Sequence, residues 1–566
     1  MPAAFSLTAN VVDLFAYTIR PATVHVADGR IRAIAPTGAD APDPALPYAL
    51  PGFVDAHVHV ESSLLVPSEF ARLAVVHGTV ATVSDPHEIG NVLGVAGVEY
   101  MLRNGRQVPF KFCFGAPSCV PATPFETAGA EITAADIEHL FRQHPEIGYL
   151  AEMMNWPGVL QRDAGVTEKI ALAQRYHRPI DGHAPGLRGA DARRYADAGI
   201  STDHECFTRE EALDKLAAGM KVLIREGSAA RNFEALIDLL PEHYQNLMFC
   251  SDDKHPDTLV LGHINQLVQR AVARGQNVLH VLHVACRNPV EHYRLPVGLL
   301  RAGDPADFIV VNDLVDFAVQ QTYLDGQLVA EQGQTRIAPV PVEAVNNFHA
   351  RTVSPADFQL RAPSEIVDQP TANNQQPATN PPTLRVIECY DGQLITGRLD
   401  LPARVENGLF VPDVAQDVLK LTVVNRYRAA PPAAAFIRGF GLQRGALASS
   451  VGHDSHNITA VGCDDASLAR AVQLVMDARG GLAAVGPDGH ELVLPLPVAG
   501  LMSDQDGRHV AAAYAAVDAL AKQLGSPLQA PFMTLSFMAL LVIPSLKLSD
   551  LGLFDGEAFQ FVEAYA

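Results

Sequence analysis

His57 and His59 stand one residue apart in the run Pro51-Gly52-Phe53-Val54-Asp55-Ala56-His57-Val58-His59-Val60-Glu61. The run is apolar and β-branched, so it reads as a strand. Residues two apart on a strand share a face, and the two imidazoles can grip one ion together. Further candidate donors end other strand-like runs. Glu152 lies in Leu150-Ala151-Glu152-Met153-Met154-Asn155 and His183 in Asp181-Gly182-His183-Ala184. His204 and Glu205 end Thr202-Asp203-His204-Glu205, and Asp252 and Asp253 end Cys250-Ser251-Asp252-Asp253. Four imidazoles and two carboxylates are too many for one ion. Two divalent ions bridged by Glu152 are the natural reading, and mixed nitrogen and oxygen donors suit Zn(II), Mn(II) or Fe(II). Asp252 is the expected ligand and Asp253 the expected substrate or orienting group; their adjacency leaves an exchange of roles open.

Convergence of these groups requires elements that end at one place. Eight short apolar runs alternate with helix-like stretches between residues 51 and 302: 53–60, 78–85, 111–117, 147–153, 179–184, 199–205, 221–227 and 247–253. That alternation predicts βαβ units and a parallel sheet, here an α/β fold with a (β/α)8 barrel whose site lies at the strand C-termini. An open doubly wound sheet is the structural alternative. Residues 1–50 and 303–345 read as short strands with Asp-Gly hairpin turns at Asp28-Gly29 and Asp325-Gly326. The Pro/Asn/Gln-rich stretch 363–382 marks a linker region spanning 346–382. A second α/β domain is expected over 383–566.

Composition narrows the function classes. The 566 residues are 48% apolar and 19% charged, with a net charge of −21. That charge argues against nucleic acid or an anionic membrane surface as partner. No apolar run approaches the length needed to span a bilayer. The N-terminus lacks the basic and apolar stretches of a signal peptide. Seven scattered cysteines without a C-x-x-C pair fit the reducing cytoplasm. A homo-oligomer is expected.

Long motifs then narrow the class to a family. PGFVDAHVHVESS from Pro51, SDPHEIGNVLG from Ser84, LAEMMNWPGV from Leu150, STDHECFTREEA from Ser201, FCSDDKHPD from Phe249 and GFGLQRGALASSVGHDSHNI from Gly439 resemble the bacterial adenine deaminases of the amidohydrolase superfamily. The resemblance runs along nearly the whole chain. It implies a barrel inserted in a small β-sandwich, followed by a C-terminal domain. It also implies two metal ions, with Mn(II) or Fe(II) favoured over Zn(II), on His57, His59, Glu152, His183, His204 and Asp252. The implied reaction is hydrolytic deamination of adenine to hypoxanthine and ammonia, a metal-activated water attacking C6. Asp252 would take the water's proton. Glu205 would meet a purine ring nitrogen, relay a proton, or fix His204.

Other polar residues fall near the expected barrel mouth. His87 and Glu88 follow strand two, and Glu226 and Ser228 follow strand seven, where they could meet the purine edge. His453 and His456, in His453-Asp454-Ser455-His456-Asn457, read either as a closing element over the mouth or as a hydrogen-bonded turn. Phe532, Met533 and Phe537 read as core. Trp156 and Arg188 depart from the family pattern and are expected to alter the pocket. The competing functions are deamination of another 6-aminopurine or related heterocycle, hydrolysis of a cyclic amide such as a hydantoin, and a non-catalytic scaffold.

Overall fold

Eight short, largely buried strands form the frame of the protein. The computed structural model describes residues 4–349, 351–363, 382–487 and 489–565. The strands are β1 (Phe53–Val58), β2 (Thr79–Ser84), β3 (Lys111–Ala116), β4 (Tyr149–Met153), β5 (Ile180–Gly182), β6 (Thr202–Asp203), β7 (Lys221–Arg225) and β8 (Leu247–Cys250). Both faces are covered, as parallel strands require, which is why they read as apolar runs rather than alternating ones. β1 to β5 pair in sequence as one parallel sheet, and β6 to β8 as another.

A few backbone hydrogen bonds close the two seams into a barrel. Between β5 and β6, Ser201 N donates to Ile180 O at 2.8 Å. Gly182 permits the approach, since a Cβ there would lie 2.4 Å from Thr202 O. Between β8 and β1, Asp252 N donates to His57 O at 2.9 Å and His59 N to Asp252 O at 3.3 Å. Beneath this second seam, Asp55 accepts from Ser251 N and pairs with His263 Nε2 at 2.7 Å.

A second sheet joins the chain before the barrel to the chain after it. Strands Phe5–Asp13, Thr18–Ala27, Arg30–Pro36 and Tyr48–Pro51 bond with Phe308–Val311, Val319–Leu324, Gln327–Glu331 and Gln334–Thr335 in one eight-stranded sheet. It curls on itself, so that Phe5 stacks on Tyr323 at 5.0 Å across two intervening strands. Both Asp-Gly hairpins form, with positive φ at Asp28, Gly29, Asp325 and Gly326, the conformation a type I′ turn demands.

The last third of the chain builds a mixed eight-stranded sheet from strands between Thr383 and Pro495, covered by helix Asp465–Asp477. Helix Gly507–Gln523 packs against that sheet and the barrel, where Gly507 N donates to Glu69 Oε2 at 3.1 Å. Asn457 Nδ2 reaches Thr127 O at 2.9 Å, and Thr127 N reaches Asp550 Oδ1 at 2.9 Å. The domain therefore lies over the strand C-termini.

Residues 346–363 are not a free linker, contrary to expectation. Phe348, Val353 and Phe358 are buried in the core under helix Asp465–Asp477, and Leu360–Arg361 pairs with Leu409–Phe410. The apolar residues between the polar ones decide this. Residues 364–381 of the expected linker lie outside the described residues. Among the described residues, no helix is long and apolar enough to cross a membrane.

Candidate metal centre

Strand ends deliver the charged residues to one cavity at the barrel mouth. At the end of β1, the Nε2 atoms of His57 and His59 stand 3.3 Å apart. Asp252 Oδ1 is 3.5 Å from the first and 3.2 Å from the second. Asp252 adopts φ 53° beyond β8, a left-handed conformation that aspartate tolerates better than most residues. Glu152, from β4, turns Oε1 to His59 Nε2 at 3.3 Å. Its Oε2 faces His183 Nδ1 at 2.8 Å and His204 Nε2 at 3.3 Å.

These spacings describe donors facing one point rather than each other. Tetrahedral donors about 2.1 Å from an ion sit roughly 3.4 Å apart. Several groups meet that description, among them His57-His59-Asp252, His57-Glu152-His204, His183-His204-Glu205 and His59-Asp85-His87-Glu152. All are buried, and His57 Nδ1 and His183 Nε2 have no partner. Imidazole nitrogens and carboxylate oxygens in such numbers fit divalent transition metals.

Electrostatics hold the carboxylates ionised. Burial would raise the Asp252 carboxyl, but Arg225 and the imidazoles of His57 and His59 hold it well below its usual range. Glu152 behaves likewise, its burial outweighed by His183, His204 and His59. The fully buried Arg225 donates to Asp252 Oδ2 at 2.7 Å and to both oxygens of Glu205. Glu205 lines the cavity, with Oε1 3.5 Å from His204 Nε2. Asp253 also lines it and accepts from Ser62 Oγ at 2.5 Å; burial and neighbouring Asp252 push its carboxyl up.

A second layer comes from helix His87–Leu93 and from the C-terminal domain. His87 Nδ1 is 3.1 Å from Asp85 Oδ2 and 3.5 Å from Glu152 Oε1. Glu88 is clamped between His453 Nδ1, at 2.6 Å, and His456 Nε2. Burial would raise Glu88, but His453, His87 and His456 hold it well below the ordinary range. The same contact lifts His453 to about 9 against the pull of burial.

Several expected positions are corrected. Glu226 and Ser228 do not reach the cavity. Glu226 pairs with Arg270 at 2.8 Å on the outside, and Ser228 Oγ bonds Thr258 and His255 N. Strand alternation explains the error: Arg225 points inward, so its neighbour points out. Phe537 is core as expected and also forms a cavity wall, stacking on His453 at 5.1 Å. Trp156 and Arg188 leave the cavity unaltered: neither lines it, and Arg188 pairs with Asp214 at 2.9 Å on the surface. Arg225, Asp85 and Asp454 were not singled out. The first two sit in the runs RE and DPHE, and alternation and proximity to His87 could have found them.

Comparison with known proteins agrees in extent with the two-part architecture. Residues 48–329 match the amidohydrolase family, and residues 393–560 match the adenine deaminase C-terminal domain. The adenine deaminase of Salinibacter ruber (strain DSM 13855 / M31) is 56% identical over 567 residues, covering 100% of both chains. That of Sulfurovum sp. (strain NBC37-1) is 53% identical over 99% of each chain. That of Methanosarcina barkeri (strain Fusaro / DSM 804) is 50% identical over 92% of each. Similarity at that level from end to end, over a barrel carrying this donor cluster, means that the chain belongs to the adenine deaminase family of amidohydrolases.

Proposed function

We propose that the protein hydrolyses adenine to hypoxanthine and ammonia at the barrel mouth, with two divalent ions held there. The observation that carries this reading is Glu152, whose Oε1 faces the His59 side and whose Oε2 faces His183 and His204. His57, His59 and Asp252 would hold one ion, His183 and His204 the other, and Glu152 both. Mn(II) or Fe(II) is the expected occupant, with Zn(II) compatible with the same donors. When bound, the ions supply Lewis acidity that lowers the pKa of a water molecule.

The chain's own residues manage the protons. Asp252, kept ionised by Arg225, accepts one from the attacking water and passes it to the departing nitrogen. Glu205, ionised beside Arg225, faces the same space and relays the water's second proton to N1. Arg225 orients both carboxylates, which keeps their oxygens from collapsing onto neighbouring imidazoles. Asp253, His87 and Glu88 line the cavity beyond them, and His453 and His456 fix Glu88 from above. Leu394, Leu540 and Met154 supply apolar walls suited to a flat base. Seven unpaired thiols, six of them buried, support the cytoplasm as the compartment. The expected homo-oligomer is a question for light scattering.

Ammonia release measured against a purine panel, after reconstitution with Mn(II), Fe(II) or Zn(II), tests the reading. Adenine should be the preferred substrate, and two metal equivalents should be needed. Ammonia release from another 6-aminopurine in preference, or full activity with one ion, would overturn it.

A further inference from the structure

On the C-terminal side of the cavity, two buried polar atoms have no hydrogen-bond partner among the described residues. Asp454 is 3% exposed and lines the cavity, and its Oδ2 has no hydrogen-bond partner. His453 is 4% exposed, and its Nε2 has none either. Glu88 occupies His453 Nδ1, which leaves Nε2 as the free edge of the ring. Buried polar groups are almost always paired, and leaving them bare is costly. Two unpaired atoms on adjacent residues of one cavity therefore ask for a ligand.

Their place defines what that ligand offers. His87 spans the interval between them and the candidate metal ligands. Its Nδ1 is 3.5 Å from Glu152 Oε1, and its Nε2 is 3.9 Å from Asp454 Oδ1. Asp454 thus stands about one ring-width beyond the donor cluster. A fused bicyclic base with its amine at the cluster would turn its far edge toward Asp454. Phe537, stacked on His453 with 25° between the rings, supplies a flat wall beside that edge. On a free purine the far edge carries the imidazole N–H, a donor, beside N3, an acceptor.

We propose that Asp454 and His453 form the subsite that reads the imidazole edge of a free purine base, Asp454 accepting its N–H. This rests on adenine as the substrate and deepens that reading. A nucleoside has a sugar in place of the N–H, so it would leave the carboxylate bare as well as crowd it. Sites built to pair a substrate N–H reject analogues lacking it strongly. His87, Glu88 and Asp454 also lie close enough to hold a cation, and the test separates the two roles.

The experiment compares adenine with its isostere carrying sulfur in place of the N9–H, in wild type, Asp454→Asn and Asp454→Ala, with metal content measured for each. Wild type should favour adenine by about 100-fold or more in kcat/KM. Asp454→Asn should lower kcat/KM for adenine by about 10- to 100-fold, chiefly through KM, while values for the isostere change less than about threefold. Metal content should not change. Equal use of both compounds by wild type overturns the proposal even if neither variant folds. So does a variant that keeps the full preference, or one that loses a metal equivalent, which would make Asp454 a ligand. If wild type releases no ammonia from adenine, the proposed function falls as well; if it does and the preference is absent, only the subsite falls.

Discussion

Lys215 is expected to govern the second half of the donor cluster without touching it. Its ammonium is fully buried, with Asp203 Oδ1 and Glu211 Oε1 each at 2.9 Å and Ala184 O at 2.7 Å. Asp203 in turn accepts from Ala184 N at 3.0 Å and Glu205 N at 2.8 Å. One ion pair therefore fixes the backbone immediately after His183 and His204. Lys215→Met leaves two buried carboxylates without their cation, a loss of about 3–5 kcal/mol. Both acids retain backbone donors, since Glu211 also accepts from Gly186 N at 2.8 Å, which argues for the lower end. A barrel of this size melts roughly 2–4 °C lower per kcal/mol lost, so calorimetry should show a fall of about 6–12 °C. Loosened support should weaken metal retention by about 10- to 100-fold, read as metal content after dialysis against a graded chelator series. Adding Asp203→Asn should return part of the melting temperature by removing the bare charge. Wild-type melting together with wild-type metal retention in Lys215→Met would refute the reasoning.

Asp252→Asn should fold normally by circular dichroism yet lose kcat by at least about 100-fold; a near wild-type Asp252→Asn beside a dead Asp253→Asn would exchange the two roles. His456→Ala removes one jaw of the Glu88 clamp, and steady-state kinetics should show a higher KM or slower turnover with unchanged far-ultraviolet dichroism. Lys547 is fully buried, donates to Leu394 O at 2.6 Å and Phe537 O at 2.9 Å, and burial pulls it from 10.5 to about 7. Between those values the unfolded chain binds a proton that the folded chain does not, so stability rises with pH across about 7 to 10.5. Below 7 the cost of the buried charge is fully present. Denaturation midpoints of Lys547→Met minus wild type should therefore be largest at pH 7 and shrink toward pH 10.

The barrel was legible because its strands obey two simple rules. Each of the eight runs is short, apolar and followed by polar residues, and each becomes a strand, trimmed by one to five residues at one or both ends. His57 and His59 are read from period two alone. The same rule, applied to β7, would have selected Arg225 over Glu226, since neighbours on a strand face opposite ways. Contacts between distant segments leave no such trace. Glu88 meets His456 across 368 positions, and no local pattern announces it. Phe537 is core, as its type suggests, and its second role as a cavity wall depends on the distant residues that shape the cavity. The segment 346–363 looked like a linker because its polar residues outnumber the few apolar ones that anchor it.

The cavity is walled by residues far apart in the order of synthesis. His59 comes early, whereas Asp454, Phe537 and Leu540 belong to the last fifth of the chain. Domains generally fold as they leave the ribosome, the N-terminal part first. The barrel can close on its own seams while translation continues, but its pocket stays roofless until nearly the whole polypeptide has emerged. A chain lacking its C-terminal domain thus presents the donor cluster to solvent without these walls. The enclosed cavity therefore requires the C-terminal domain to be docked on the barrel.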